Sequence, residues 1–262
     1  MRLTEIIAAI EGTAPLANQS PWDKSGLQVA ASRTDIRKMV VCLDPTPAAI
    51  AGALESGAEF ILSHHPLALR PSLPSRLDNW HGALKLLLGA DVPLYAAHTS
   101  LDVNLDGPAG WLGRALGLTD TAPLEPCGAP GMGFGQAGNL PQAVELDDLL
   151  RNLLELLGLE FAQVCGAPAP ARVSRIAYCG GSGGSLLDAA YECGADIYVT
   201  GDFKHHSALD AAGLGLAIVD VGHHSLEEKM MRLFALDLQR ALPSVQVEFQ
   251  ESPSPFRLVC QH

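Results

Sequence analysis

The sequence predicts an α/β protein made of two related halves, and three observations carry that reading. Short β-branched runs alternate with longer Ala/Leu-rich segments of helical period, the pattern of sheets covered by helices. One helix-to-strand junction recurs: Ala53-Leu54-Glu55-Ser56-Gly57-Ala58-Glu59-Phe60-Ile61-Leu62-Ser63 aligns with Ala190-Tyr191-Glu192-Cys193-Gly194-Ala195-Asp196-Ile197-Tyr198-Val199-Thr200 at an offset of 137. A length of 262 residues suits one large domain or two small ones.

Taken in order, Lys38 to Leu43 reads as a buried strand, Pro47 to Glu55 as a helix, and Phe60 to Ser63 and Leu94 to Ala97 as strands. The order then repeats. Arg175 to Cys179 reads as a strand, Leu186 to Glu192 as a helix, and Ile197 to Thr200 and Ala217 to Val219 as strands. Between the halves lie a strongly apolar helix, Glu145 to Leu157, and a Pro/Ala-rich connector, Cys165 to Ala171. A last helix runs from about Ser225 to Arg240. In both copies of the recurring junction a Gly suited to a left-handed helix cap precedes an acidic residue and a strand. A second echo follows at an offset of 125, where His98-Thr99-Ser100-Leu101-Asp102 matches His223-His224-Ser225-Leu226-Glu227. Two echoes in the same order point to an internal duplication.

Composition excludes several classes. With 48% apolar and 18% charged residues the chain is not generally disordered. A net charge of -12 and a pI near 5.1 argue against binding to nucleic acid or an anionic membrane, both of which need accumulated Lys and Arg. A small anionic ligand remains compatible, since it answers to a local field. The six cysteines (Cys42, Cys127, Cys165, Cys179, Cys193, Cys260) form no C-x-x-C pair, which suits a reducing cytoplasm. Acidic residues interrupt the N-terminal apolar run, and no stretch approaches the roughly 20 apolar residues of a membrane span.

The chemistry concentrates in histidine. Seven of the nine histidines fall in four short segments, His64-His65, His98, His205-His206 and His223-His224, each at or just beyond a predicted strand end. Ligands in open α/β sheets bind beyond the carboxyl ends of strands, so the segments can converge on one crevice. Pro66 holds His65 extended, and successive side chains on extended backbone diverge. Adjacent histidines there suit two metal ions, or one ligand and one supporting donor, better than a single chelate. His98-x-x-x-Asp102 and His223-x-x-x-Glu227 place imidazole and carboxylate on one face if helical. The second pair begins a helix, whereas Asn104 and Gly107-Pro108 suggest a loop around the first. One such spacing alone is an ordinary ion pair; its duplication beside His-His favours a metal site. Imidazole with carboxylate suits Zn, Fe, Mn, Ni or Co without choosing among them. A bridged pair of such ions activates water for hydrolysis.

Three further segments are less specific. Gly180-Gly181-Ser182-Gly183-Gly184-Ser185 reads either as a phosphate-approaching loop or as a tight strand-to-helix turn, and it lacks the Lys of a P-loop. Lys204 and His206 read as substrate contacts or as a solvated helix start. Trp22-Asp23-Lys24-Ser25-Gly26-Leu27 reads as a structural turn.

Together these segments resemble the GTP cyclohydrolase 1 type 2-like proteins, also called the Nif-three-like family. The matching residues are Trp22-Asp23 with Gly26-Leu27-Gln28-Val29, Ser63-His64-His65-Pro66-Leu67, His98-Thr99 with Leu101-Asp102, Thr200-Gly201-Asp202 with His206, and Gly222-His223 with Glu227. The resemblance implies two similar, intertwined three-layer α/β/α domains. These are the first over 1–126, completed by 225–262, and the second over 127–224. It also implies a dinuclear metal site and ring-like homo-oligomers, commonly hexamers. Carried over by position, the metal ligands are His64, His65, Asp102, His223 and Glu227, with Glu227 as bridge and His98 a neighbouring polar group. His224 stands where the family often has Tyr. The short stretch from 128 to 173 leaves no room for the large insert of some members. The implied activity is metal-dependent hydrolysis of a nucleotide or other small anion, including ring opening of the GTP cyclohydrolase type, with His98 or His206 moving a proton. A non-enzymatic metal-binding scaffold or regulator uses the same residues.

Overall fold

In the computed structural model, which describes residues 1–70, 73–257 and 259, the predicted runs assemble into two mixed sheets. The chain opens with α1 (Leu3–Thr13), which buries Ile6 and Ile10 one turn apart. It continues through β1 (Gly26–Val29), β2 (Lys38–Cys42), α2 (Pro47–Glu55), β3 (Phe60–Ser63), α3 (Asn79–Ala90) and β4 (Leu94–Ala96). Helix α2 starts where sequence chemistry places it: the Thr46 hydroxyl accepts the Ala49 N–H, and Pro47 occupies the first turn. The short helices α4 (Thr99–Asp102) and α5 (Trp111–Ala115) lead into β5 (Thr119–Pro126) and β6 (Gly133–Glu145). Then follow α6 (Leu146–Leu157), β7 (Gln163–Gly166), β8 (Arg172–Ser182), α7 (Leu187–Glu192), β9 (Ile197–Gly201), α8 (His205–Leu214), β10 (Ala217–Asp220), α9 (His223–Ala241) and β11 (Gln246–Phe249).

The first sheet has the order β1-β4-β3-β2-β11 and the second β5-β6-β8-β9-β10-β7. Within them β2, β3 and β4 run parallel, as do β8, β9 and β10. The strand preceding each set returns to its far edge: β1 pairs antiparallel with β4, and β7 antiparallel with β10. The remaining edges differ. Strand β2 is extended by parallel β11, and β8 by the antiparallel hairpin β5–β6.

Strand alternation divides the apolar side chains into three cores. Val40, Ile61 and Leu94 face α2 and α3 through Ile50 and Leu87. Ala177, Tyr198 and Ile218 face α7 and α8 through Ala190 and Ala211. The opposite faces of both sheets share one central core with Phe234 and Leu238 of α9, Ile10 of α1 and Leu153 of α6. Helix α9 touches β2 and β11 of one sheet and β8 and β9 of the other. The parallel strands therefore aim their carboxyl ends at a region bounded by the start of α9.

Several expectations change. Strand β5, within the stretch 1–126, pairs in the second sheet, and β11 pairs with β2 in the first. The connector expected from Cys165 to Ala171 begins inside β7. Strand β8 runs to Ser182, so Gly180 and Gly181 are sheet residues rather than loop residues. His98 caps a short helix that contains Asp102, where Asn104 and Gly107-Pro108 suggest a loop. The described cysteines Cys42, Cys127, Cys165, Cys179 and Cys193 are free, and Cys260 lies outside the described residues. Among the described residues no helix is long and apolar enough to cross a membrane.

Candidate metal centre

The expected histidines are delivered by strand ends. Beyond β3, His64 N–H donates to Cys42 O at 3.2 Å and Leu43 O at 3.1 Å, and His65 N–H donates to Leu43 O at 3.1 Å. The Ser63 hydroxyl donates to His65 O at 2.7 Å, so both histidines leave the sheet on pinned backbone. Beyond β4, His98 starts α4 and puts Asp102 one turn on. Beyond β10, Gly222 at φ 82° turns the chain into α9, which opens on His223 and carries Glu227 one turn further on. Gly201 at the end of β9 permits this junction, since a Cβ there would lie 2.2 Å from His223 N.

One arrangement recurs at four imidazoles. His64 Nδ1 donates to Ala97 O at 2.8 Å, His65 Nδ1 to Asp44 Oδ1 at 2.8 Å, His98 Nδ1 to Asp23 Oδ1 at 2.7 Å, and His223 Nδ1 to Asp202 Oδ2 at 2.9 Å. Each acceptor is an oxygen without a proton, which assigns the hydrogen to Nδ1 and leaves the Nε2 lone pair free. For His64, His65 and His223 these lone pairs face carboxylates. Glu227 Oε1 lies 3.5 Å from His64 Nε2, while Oε2 lies 3.2 Å from His65 Nε2 and 2.8 Å from His223 Nε2. Asp102 Oδ1 lies 3.6 Å from His64 Nε2. His64 Nε2 is completely buried and has no hydrogen-bond partner. Two sets bring their ligand atoms within 4.8 Å of one another: His64, His65 and His98, and His65, His223 and Glu227.

Anion meeting lone pair is unfavourable unless positive charge lies between them. Burial disfavours imidazolium at His65, yet Asp44 and Glu227 overcome it and raise its pKa to about 10. Burial opposes charge on Glu227 as well, but His64, His223 and His65 hold its carboxyl well below the usual range. Burial pushes Asp102 upward. The pocket thus favours cations, and a tautomer fixed by an outer carboxylate or carbonyl is the arrangement found around metal-ligating histidine. The donor set fits divalent metal.

Beside the cluster opens a cavity of about 550 Å³, whose wall includes Trp22, His65, His98, Asp102, His223 and Glu227. Gly181 lets β8 form its back: at φ +64°, a Cβ would stand 2.3 Å from Glu227 Oε1.

The structure brings His64, His65, His98, Asp102, His223 and Glu227 together and leaves His206 apart. That residue is exposed in the first turn of α8, its ring 5.4 Å from that of His205, and it does not line the cavity. Asp202, at φ 53°, turns the chain away after β9. His224 bonds Ser252 O at 2.8 Å. His98, expected to move protons, also stands among ligand-capable atoms.

The sequence reading missed the outer carboxylates. Asp23, in a segment whose sequence reads as a turn, is buried and accepts from Lys24 N, His98 Nδ1, Ser25 Oγ, Thr99 N and Thr99 Oγ1. Asp44 sits just beyond β2, where the strand-end rule could have found it. At the offset of 137, Asp202 is the counterpart of His65.

The chain matches Duf34/NIF3 (NGG1p interacting factor 3) over residues 1–255. It belongs to the Duf34/NIF3 family. A relative named GTP cyclohydrolase 1 type 2 homolog in Lactococcus lactis is 32% identical, covering 98% of this chain and 99% of its own. The homolog of the same name in Streptococcus pneumoniae is 31% identical over 86% of this chain and 85% of its own. The crystal structure of a Bacillus cereus protein related to NIF3 superposes with a TM-score of 0.91 at 24% identity, covering 99% of each chain. That likeness shows the NIF3 fold.

Proposed function

We propose that this Duf34/NIF3 protein is a metal-dependent hydrolase acting on a small nucleotide-like or other anionic molecule in the cavity. One observation carries the reading: three of the imidazoles, each tied outward through Nδ1, turn Nε2 inward onto the carboxylate of Glu227. His64, His65, Asp102, His223 and Glu227 would hold two divalent ions, with His98 in reach of the first set. Glu227 suits the bridging part because Oε1 faces His64 of one set while Oε2 faces His223 of the other and His65, which both sets share. When bound, divalent cations supply Lewis acidity and acidify water.

The side chains supply the rest. Asp44, Asp202 and the Ala97 carbonyl keep the inward tautomer, so no reorganisation is needed at the site. His98, backed by Asp23 and lining the cavity, is the group placed to accept or deliver a proton. His206 has no such position within one protomer. The three parallel strands with one antiparallel edge strand, common to both sheets, support an internal duplication into two intertwined α/β/α units. The hexamer and the cytoplasmic location belong to the same proposal.

The test is metal content and turnover of a nucleotide panel by the wild type and by His64→Ala/Glu227→Ala. The wild type should contain metal and turn over at least one substrate, and the double variant should do neither. Undiminished turnover by a metal-free double variant would overturn the hydrolase. A fully metallated wild type that turns over nothing would leave a metal-binding scaffold instead.

A further inference from the structure

The cavity wall is unusual for a site that takes nucleotides. Among its described residues there is no Lys or Arg, and the residues outside the described set, Pro71, Ser72, Leu258, Cys260, Gln261 and His262, include none either. Its anionic members are Glu125, Asp102 and Glu227. A triphosphate brings several negative charges, which proteins ordinarily meet with Arg or Lys forks.

Backbone donors are a weaker substitute. Within the Gly180–Ser185 stretch, Gly183 N is taken up by Thr200 Oγ1 at 3.0 Å, and Ser182 pairs with Gly201 of β9. The helix that follows, α7, has only six residues. Among the described wall residues, full positive charge could therefore come only from the imidazole–carboxylate cluster and any cations it holds.

Apart from Ser20, Thr99, Ser182 and Ser185, the remainder of the wall is largely apolar and aromatic. Trp111, Phe134 and Met230 line it, and Trp22 stands beside His98 with ring centroids 5.8 Å apart while leaving 58% of its surface exposed. An indole left open next to a polar cluster is a surface on which a flat ring regains contact area. A volume of about 550 Å³ lies in the range of small-molecule sites.

We propose that the cavity takes a nucleoside-sized heteroaromatic compound with no polyphosphate tail, its ring between the aromatic side chains and its polar end toward the cluster. The polar end rests on the metal reading above; the ring end does not.

The experiment is calorimetric titration of the metal-loaded protein with guanosine, adenosine and uridine, and with the monophosphate and triphosphate of each. Quenching of tryptophan fluorescence is the second readout. At least one nucleoside should bind, and its triphosphate should bind at least about tenfold more weakly. Trp22→Ala, at an exposed position that tolerates change, should weaken the nucleoside about tenfold with metal content unchanged. Glu125→Lys, also exposed, should raise triphosphate affinity at least about tenfold and leave the nucleoside alone. The inference falls if a triphosphate binds as tightly as its nucleoside, if no nucleoside binds, or if Trp22→Ala changes nothing. A protein that takes up no metal would defeat the hydrolase, while nucleoside quenching in that same protein would still uphold the ring site.

Discussion

His65 and His223, 158 positions apart in the chain, turn their Nε2 atoms to within 3.3 Å of each other. Both carry their other ring proton outward, to Asp44 and Asp202, so the facing atoms offer electron pairs to the same point. A divalent ion added at about 100 times its dissociation constant should stabilise the fold by about 2.7 kcal/mol. Thermal melting of the apo protein with and without Zn or Mn measures this, and His65→Ala should remove the gain. A melting temperature indifferent to every divalent metal would refute the cluster as a cation site.

The outer carboxylates should matter without being ligands. Asp44→Asn and Asp202→Asn keep side-chain shape but lose the charge that orients the imidazoles, and each should weaken metal affinity about 10- to 100-fold. Asn also tolerates the left-handed backbone at Asp202, so this variant should fold. Competition with a chromogenic chelator gives the affinities, and unaltered values would show that the anchors are incidental.

Gly181→Ala adds one methyl group where φ is +64° and Glu227 Oε1 would be 2.3 Å away. Because Glu227 is held by three imidazoles, the strain should appear in both stability and binding. We expect a loss of about 1–3 kcal/mol and metal affinity lower by at least about tenfold. Denaturant melts of the apo protein separate the first effect from the second.

Asp23 gives the fold an acid sensitivity of known sign. Burial alone would raise its pKa, but hydrogen bonds from His98, Ser25 and Thr99 outweigh burial and depress it. A carboxyl depressed in the folded state stabilises it fully above the unfolded value, near pH 4, and that contribution fades as pH falls toward the folded value. Asp23→Asn should therefore cost about 1.5–3 kcal/mol at neutral pH. The gap to wild type, followed by chelator-treated melts from pH 7 to pH 3, should stay constant to about pH 5 and then narrow. A gap that widens on acidification would contradict the assignment.

What the sequence discloses follows from how strongly local chemistry specifies each element. Buried parallel strands such as Phe60–Ser63 and Ile197–Gly201 are short apolar runs between breakers, and α2 carries its own cap, so all three are legible at nearly their true limits. Strand β6 is not. Its sequence, Gly-Phe-Gly-Gln-Ala-Gly-Asn-Leu-Pro-Gln-Ala-Val-Glu, is rich in loop residues, and pairing with β5 and β8 holds it extended. The edge strands β1, β7 and β11 are each four residues long and take their identity from a neighbour. At the site, histidine is conspicuous by its clustering at strand ends, and the repeat separates His98 and His223 from chance. Aspartate is common in turns, so Asp23 looked like one, and only the fold shows five donors pointing at it.

Helix α9 and strand β11 carry a consequence for synthesis. A ribosome delivers β2, β3 and β4, with His64, His65 and His98 beyond their ends, well before it reaches His223 and Glu227, and β11 joins β2 last of all. A chain stopped before α9 holds His64, His65 and Asp102 but neither His223 nor Glu227, and its β2 edge is unsealed. Of the two ligand-capable sets, the one built on His223 and Glu227 would then wait for α9 to be made, whereas the set of His64, His65 and His98 would not.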